Sequence, residues 1–174
     1  HEFALDPAVL STWEKVRYLI EKFGCEHGRM ISQFPSKWKK LVWEGCSGCA
    51  PVERKRIEES LAEIDSKLLR NGRSYDNASP WLHNAVEQHG ISPFHAIISN
   101  DNPNKKDFVL LENELNDAVP LWNVKRGLTV FRTASEMVKC VKPLLQASAE
   151  VLFVDQHFDP SKIEYRNTLF SFAD

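Results

Sequence analysis

The chain has 174 residues, with 22 Lys and Arg against 24 Asp and Glu and a formal net charge of −2. Apolar residues make up 43% and charged residues 26%, which is typical of a globular domain and argues against a disordered chain. The balance of charge excludes a global attraction to nucleic acid or anionic membrane, so either would need a local patch. There is no apolar run of the roughly 18 residues that a membrane span needs, and no secretory signal pattern, so we expect a cytoplasmic protein without membrane contact.

The first 90 residues show helical patterns separated by loops. Asp6, followed by a proline, is typical of a helix start, and apolar residues then recur at helical spacing from Val9 to Phe23. Further helices are predicted to begin near Pro35, Pro51 and Pro80. No strand is predicted here, so residues 1–90 are expected to form a helical region.

Residues 91–174 have a different pattern. Short apolar runs predict strands over 94–98, 108–111 and 128–131, and Thr133 with Glu136 forms a capping-box pattern before an amphipathic helix. The apolar run Val151–Val154 follows and favours a strand buried on both faces, and a last helix is predicted over 165–172. We therefore predict an α/β fold, with α+β as the alternative. In it the helical N-terminal half precedes a small mixed, partly parallel sheet, within one compact unit.

The residues after the run Val151–Val154 are the first candidates for chemistry. Ligands in open α/β sheets bind beyond the carboxyl ends of the strands, and Asp155 and His157 follow such an end. His157 could act as acid, base or nucleophile with Asp155, while Arg166 and Asp159 could hold a phosphate. The alternative is that Asp155 and Asp159 only cap the turn before the last helix.

The stretch 147–172, ASAEVLFVDQHFDPSKIEYRNTLFSF, resembles the opening strand and following helix of a phospholipase D-like domain. The signature of that superfamily is His, any residue, Lys, four residues, Asp, and no histidine of this chain is followed two positions later by Lys. The resemblance therefore implies a fold and a phosphodiesterase class but transfers no catalytic residue. It also implies that the signature lies downstream in a longer polypeptide, or that activity has been lost.

Four residues in the N-terminal half could bind a metal. Cys46 and Cys49 form a CxxC pair, and Cys25 and His27 lie upstream, a donor set that suits tetrahedral zinc. The alternatives are a redox CxxC, whose usual strand-then-helix context is not evident, and a pair of ordinary thiols. No cofactor other than this candidate zinc is expected.

A basic and aromatic cluster is the candidate contact for nucleic acid. Lys37, Lys39 and Lys40 alternate with aromatic residues, a combination that can follow a phosphate backbone and stack on bases. The alternative is that the aromatic residues belong to the core and the lysines face solvent.

Together these patterns predict the N-terminal part of a phospholipase D-like phosphodiesterase of bacterial type, with nucleic acid as the favoured substrate. Whether the chain is itself an enzyme stays open, because it holds no complete catalytic motif. The alternative function is a non-catalytic interaction or adaptor domain of a multi-component system, which would need a protein partner.

Overall fold

A computed structural model describes residues 1–125 and 127–173. The chain forms two compact units, His1–Arg126 and Gly127–Asp174, which are described separately below. Among the described residues, the first unit contains the five-stranded sheet and the second contains two helices.

The first unit is built on five parallel strands. They are β1 (Glu2–Leu5), β2 (Met30–Ser32), β3 (Leu68–Leu69), β4 (Ala96–Ser99) and β5 (Val109–Leu111). Their order across the sheet is β3-β2-β1-β4-β5, so β1 is central and pairs with β2 on one side and β4 on the other. The register sets Phe3 against Ile31 and against Ala96. The predicted α/β class is thereby confirmed, and the sheet is parallel throughout.

Four helices belong to the first unit. They are α1 (Trp13–Ile20), α2 (Trp38–Gly45), α3 (Pro51–Glu63) and α4 (Trp81–Ile91). Thr12 starts α1, because its hydroxyl accepts a hydrogen bond from the amide of Lys15 at 3.3 Å. Asp6 instead begins a short 3₁₀ turn over Pro7–Val9, so the first predicted helix is split in two.

Alternation along the strands produces a core on each face of the sheet. Phe3 and Leu5 contribute to the larger cluster, which also holds buried residues of α1, α2 and α3. Ala4 and Ile97 contribute to the smaller cluster, which includes Ala85 of α4. Burial on both faces explains why β4 has the continuous apolar sequence AIIS up to its last residue.

The second unit consists of α5 (Ala134–Ala147) and α6 (Ile163–Ala173) with the segment that joins them. The predicted capping of α5 is confirmed, because the Thr133 hydroxyl accepts from the amide of Glu136 at 3.4 Å. Among the described residues of this unit the structure has no strand.

Three predicted features are corrected by these elements. The first 90 residues are not only helix and loop, since β1, β2 and β3 lie there. Residues 128–131 form no strand. The prediction of a buried strand over Val151–Val154 is wrong, because this run has no regular structure and its four side chains are exposed. An apolar run becomes a strand only when a neighbouring strand supplies backbone partners.

Candidate functional site

The order of the strands defines a crevice at one edge of the sheet. From β1 the chain moves to β2 and β3 on one side, and then crosses to β4 and β5 on the other. The carboxyl ends of β1 and β4 are therefore the topological switch point, where connections leave in opposite directions. In open α/β sheets this is the usual place for a ligand.

Asp6 lies at this switch point, directly after β1, and only 9% of it is exposed. Its Oδ1 accepts a hydrogen bond from the amide of Ala8 at 2.9 Å, and its Oδ2 accepts one from the hydroxyl of Ser99, the last residue of β4, at 3.2 Å. Burial raises the pKa of Asp6 above its ordinary value of 3.8, and the two hydrogen bonds oppose that rise. A carboxyl group whose pKa is raised by burial at such an edge is a candidate functional residue.

Buried polar residues concentrate at this edge. Among the described residues the buried polar side chains are those of Asp6, Ser32, Asn84 and Ser99. Ser32 ends β2, Ser99 ends β4 and Asp6 follows β1, so three of the four lie at carboxyl ends of neighbouring strands. Burying a polar side chain costs free energy. Three such side chains at one edge of the sheet therefore indicate a functional edge.

Tyr75 and Lys37 come to the same edge from two connections. The Tyr75 ring packs against Phe34 with 5.4 Å between centroids, and Lys37 Nζ lies 5.8 Å above the Tyr75 ring. Burial raises the pKa of Tyr75, and the negative charge of Asp6 raises it further. Tyr75 thus lies within electrostatic reach of Asp6 and keeps its hydroxyl proton as a donor.

Asn84 of α4 fixes the loop that follows Tyr75. Its Nδ2 donates to the carbonyls of Asp76, Ser79 and Pro80 at 2.9, 3.2 and 3.1 Å. Its Oδ1 accepts from the amide of Asp76 at 2.7 Å. Both polar atoms of this buried amide are hydrogen-bonded to this loop, so Asn84 is a positioning residue for Tyr75.

The loop after β4 adds a second carboxylate. The amide of Asp101 donates to the Ser99 hydroxyl at 3.5 Å, and Asp101 itself is exposed. Asn102 closes this loop, because its Oδ1 accepts from the amide of Lys106 and its Nδ2 donates to the Lys106 carbonyl, both at 2.9 Å.

No protein-family model, curated protein or solved structure matches this chain. The class of ligand is therefore inferred from the side chains of the crevice. A carboxyl group with a raised pKa, a hydroxyl donor and a lysine at one edge form a set that suits a phosphate ester.

Among the described residues there is no helix long and apolar enough to cross a membrane.

The residues predicted around Asp155 lie in the second unit, where Asp155 and His157 are exposed and Asp159 is half-buried. Asp155 Oδ1 accepts from the amide of His157 at 2.8 Å, and Asp159 Oδ1 accepts from the amide and hydroxyl of Ser161 at 2.9 and 2.6 Å. Both aspartates therefore close local turns, which was the alternative to a catalytic role. Arg166 is an exposed residue of α6.

A cavity of about 590 Å³ lies within the second unit. Asp155 and Glu164 contribute carboxylates to its wall, which otherwise includes Phe153, Phe158 and Tyr165. His157 is not part of that wall, so the structure places Asp155 but not His157 at a cavity.

The four predicted zinc ligands do not come together. Within the described residues, no group of three or more His, Cys, Asp or Glu side chains could hold a metal ion. Cys25 and His27 belong to a 3₁₀ turn after Gly24, whereas Cys46 is buried at the end of α2. Cys46 and Cys49 remain neighbours in one turn, and Cys25 and His27 share another.

The three predicted lysines have different surroundings. Lys39 pairs with Asp65 at 2.7 Å, and Lys40 pairs with Glu44 one helical turn away at 3.7 Å. Lys37, at the start of α2, donates to Asn77 and lies over Tyr75 at the switch-point edge. Trp38 is fully buried, so this aromatic residue belongs to the core.

The sequence alone does not identify Asp6, Ser99 or Tyr75 as site residues. A signal existed for Asp6, because it directly follows the short apolar run Phe3–Leu5, as a residue at a strand end does. The following proline favoured a helix cap instead, and Asp6 does cap a 3₁₀ turn. A run of three residues is too short for periodicity to identify a strand.

Proposed function

We propose that the first unit binds a phosphodiester of nucleic acid at the switch-point crevice and hydrolyses it. The observation that supports this most is the buried Asp6 carboxyl group, which Ser99 holds at the carboxyl ends of β1 and β4 and whose pKa is raised by burial. Nucleic acid is favoured over lipid because Lys37 and Tyr75 at the rim combine a positive charge with an aromatic ring.

In this proposal Asp6 acts as the general base. It takes a proton from a water molecule, whose oxygen forms a bond to phosphorus while the bond from phosphorus to the leaving oxygen breaks. The leaving oxygen takes its proton from solvent, and Asp6 then releases its own. The Tyr75 hydroxyl and the Lys37 ammonium group stabilise the charge that develops on the phosphate oxygens.

The test uses end-labelled single- and double-stranded oligonucleotides, with and without added Mg²⁺, on native and denaturing gels. Asp6→Asn keeps the size of the side chain and its contact with Ser99 but removes the base, so we expect cleavage to fall about 100-fold or more with binding retained. Asp117→Asn, at an exposed position, is the matched control and should cleave like the wild type. Unchanged cleavage by Asp6→Asn would contradict the proposal.

The resemblance of residues 147–172 to a phospholipase D-like domain stays a prediction and belongs to the same reaction class. It transfers no catalytic residue, but the candidates Asp155 and His157, which follow the apolar run of the same stretch, belong to the second unit. The double variant Asp155→Ala, His157→Ala separates the two possibilities. Loss of cleavage in that variant, with full cleavage by Asp6→Asn, would assign the reaction to the second unit.

The second candidate function is a protein-interaction domain, and one observation favours it. The run Val151–Val154 is exposed, and Leu152 retains 83% of its accessible surface. Contiguous exposed apolar side chains are typical of surfaces that contact another protein. If this function is correct, the protein should self-associate or bind a partner in light scattering, and Leu152→Ser with Val154→Ser should abolish the association.

A further inference from the structure

Cys46 and Cys49 lie on either side of the turn that ends α2. The amide of Cys49 donates to the carbonyl of Cys46 at 3.1 Å, which closes a four-residue turn. Such a turn keeps its end Cα atoms within about 7 Å, close to the separation that a disulfide spans. Cys46 is fully buried, while Cys49 is partly exposed, so one thiol is accessible to a reagent in solution.

Both thiols bind the backbone of the segment that follows β1. Cys46 Sγ donates to the carbonyl of Leu10 at 3.0 Å, and Cys49 Sγ donates to the carbonyl of Ser11 at 3.5 Å. Two consecutive carbonyls are thus satisfied by the two halves of one CxxC motif. Leu10 is fully buried, so the first of these contacts lies in the core.

The same segment begins at Asp6. The Asp6 side chain accepts from the amide of Ala8, and the amide of Leu10 donates to the Pro7 carbonyl at 3.0 Å, so residues 6–10 form one ordered turn. A third contact from α2 reaches the strand before it, where Trp38 Nε1 donates to the Leu5 carbonyl at 2.7 Å. The two thiols and Trp38 together hold the chain around Asp6 against α2.

We propose that Cys46 and Cys49 are a thiol–disulfide modification site, and that the disulfide loosens residues 8–12 next to Asp6. A disulfide carries no S–H group, so oxidation removes both donors from the carbonyls of Leu10 and Ser11. This assignment goes beyond the proposed function and does not depend on it.

The reaction needs a disulfide oxidant, for which glutathione disulfide serves. The thiolate of Cys49 attacks it, forms a mixed disulfide and releases one glutathione thiolate. Cys46 then loses its proton and attacks the Cys49 sulfur, which releases the second glutathione thiolate and leaves the intramolecular bond. Two electrons pass from the protein thiols to glutathione. Burial, and then the neighbouring Cys49, raises the pKa of Cys46 to about 11, so Cys46 is the resolving thiol and Cys49 the attacking one.

The experiment uses the full chain with Cys25→Ala and Cys140→Ala, so that only the CxxC pair can react. After glutathione disulfide, the intact mass should fall by about 2 Da relative to the reduced protein, with no glutathione adduct. Hydrogen exchange of the amides in residues 8–12 should then become about fivefold faster, because each donor lost weakens the turn. Dithiothreitol should restore the slow exchange.

Cys49→Ser in the same background is the matched control, since serine keeps a donor for the Ser11 carbonyl and the remaining Cys46 thiol is buried and has no partner for a disulfide. Its exchange over residues 8–12 should not respond to the oxidant. A persistent glutathione adduct, the absence of a disulfide, or a disulfide with unchanged exchange would overturn the proposal. None of these measurements uses cleavage of nucleic acid, so they separate this assignment from the proposed function.

Discussion

The hydroxyl of Ser99 donates to Asp6 Oδ2 at 3.2 Å and thereby joins the carboxyl ends of β1 and β4. These residues are far apart in the chain and meet because β1 and β4 are parallel neighbours. The contact keeps a carboxyl group in a poorly solvated position, where its proton affinity is raised.

The raised pKa of Asp6 predicts how stability depends on pH. Because folding favours the protonated carboxyl group, the contribution of Asp6 to stability is fully present below its ordinary pKa of 3.8 and is lost as the pH rises through the folded value. The stability of the wild type relative to Asp6→Asn should therefore be greater at about pH 4 than at about pH 7 in denaturant titrations. An opposite trend would show that the hydrogen bonds of Asp6 outweigh its burial.

Arg73 should be important for the stability of the first unit. Its Nη2 pairs with Glu2 Oε2 at 3.1 Å, its Nη1 donates to the Ser92 carbonyl at 2.5 Å, and the two paired side chains are only 6% and 18% exposed. Arg73→Ala removes the cationic partner of the half-buried Glu2 and leaves it only its hydrogen bond from Asn71, so we expect a loss of about 3 kcal/mol in urea unfolding. Arg17→Ala breaks an exposed pair with Glu21 and should cost less than about 1 kcal/mol. Equal effects of the two variants would contradict this account.

Trp122 should be a principal core residue despite its place in a loop. It is 5% exposed, its ring meets Phe3 and Phe23 edge-on at 5.9 and 5.7 Å, and the Arg29 guanidinium lies 4.1 Å from its centroid. Trp122→Ala should lower the free energy of unfolding by about 3–5 kcal/mol in thermal or urea denaturation. Leu152→Ala, at an exposed position, should change it by no more than about 0.5 kcal/mol.

The pKa of His89 should lie below that of an ordinary histidine. Its ring stacks on Phe108 at 3.9 Å with 10° between the planes, and burial, followed by the charge of Arg73, lowers its pKa from 6.5. Its contribution to stability is therefore present above pH 6.5 and is lost as the pH falls through the lowered value. NMR titration should show this shift, and Phe108→Ala should move the pKa back towards 6.5 because it exposes the ring. A His89 that titrates at 6.5 or above in the wild type would contradict the stacked position.

The sequence by itself determined the elements that have local signals. Thr133 and Glu136 predicted the start of α5, Pro51 predicted that of α3, and the apolar runs predicted β4 and β5. Capping, proline geometry and side-chain periodicity act over a few residues, so they can be recognised without knowing the fold.

Only the tertiary structure decided which apolar runs became strands and which polar residues met. Leu68–Leu69 is a strand because β2 supplies its backbone partners, whereas Val151–Val154 has none among the described residues and stays exposed. Asp6 is a local turn cap in the sequence and a buried carboxyl group in the fold, because β4 brings Ser99 beside it. Strand pairing and burial depend on residues distant along the chain, and a single sequence holds no local pattern that encodes them.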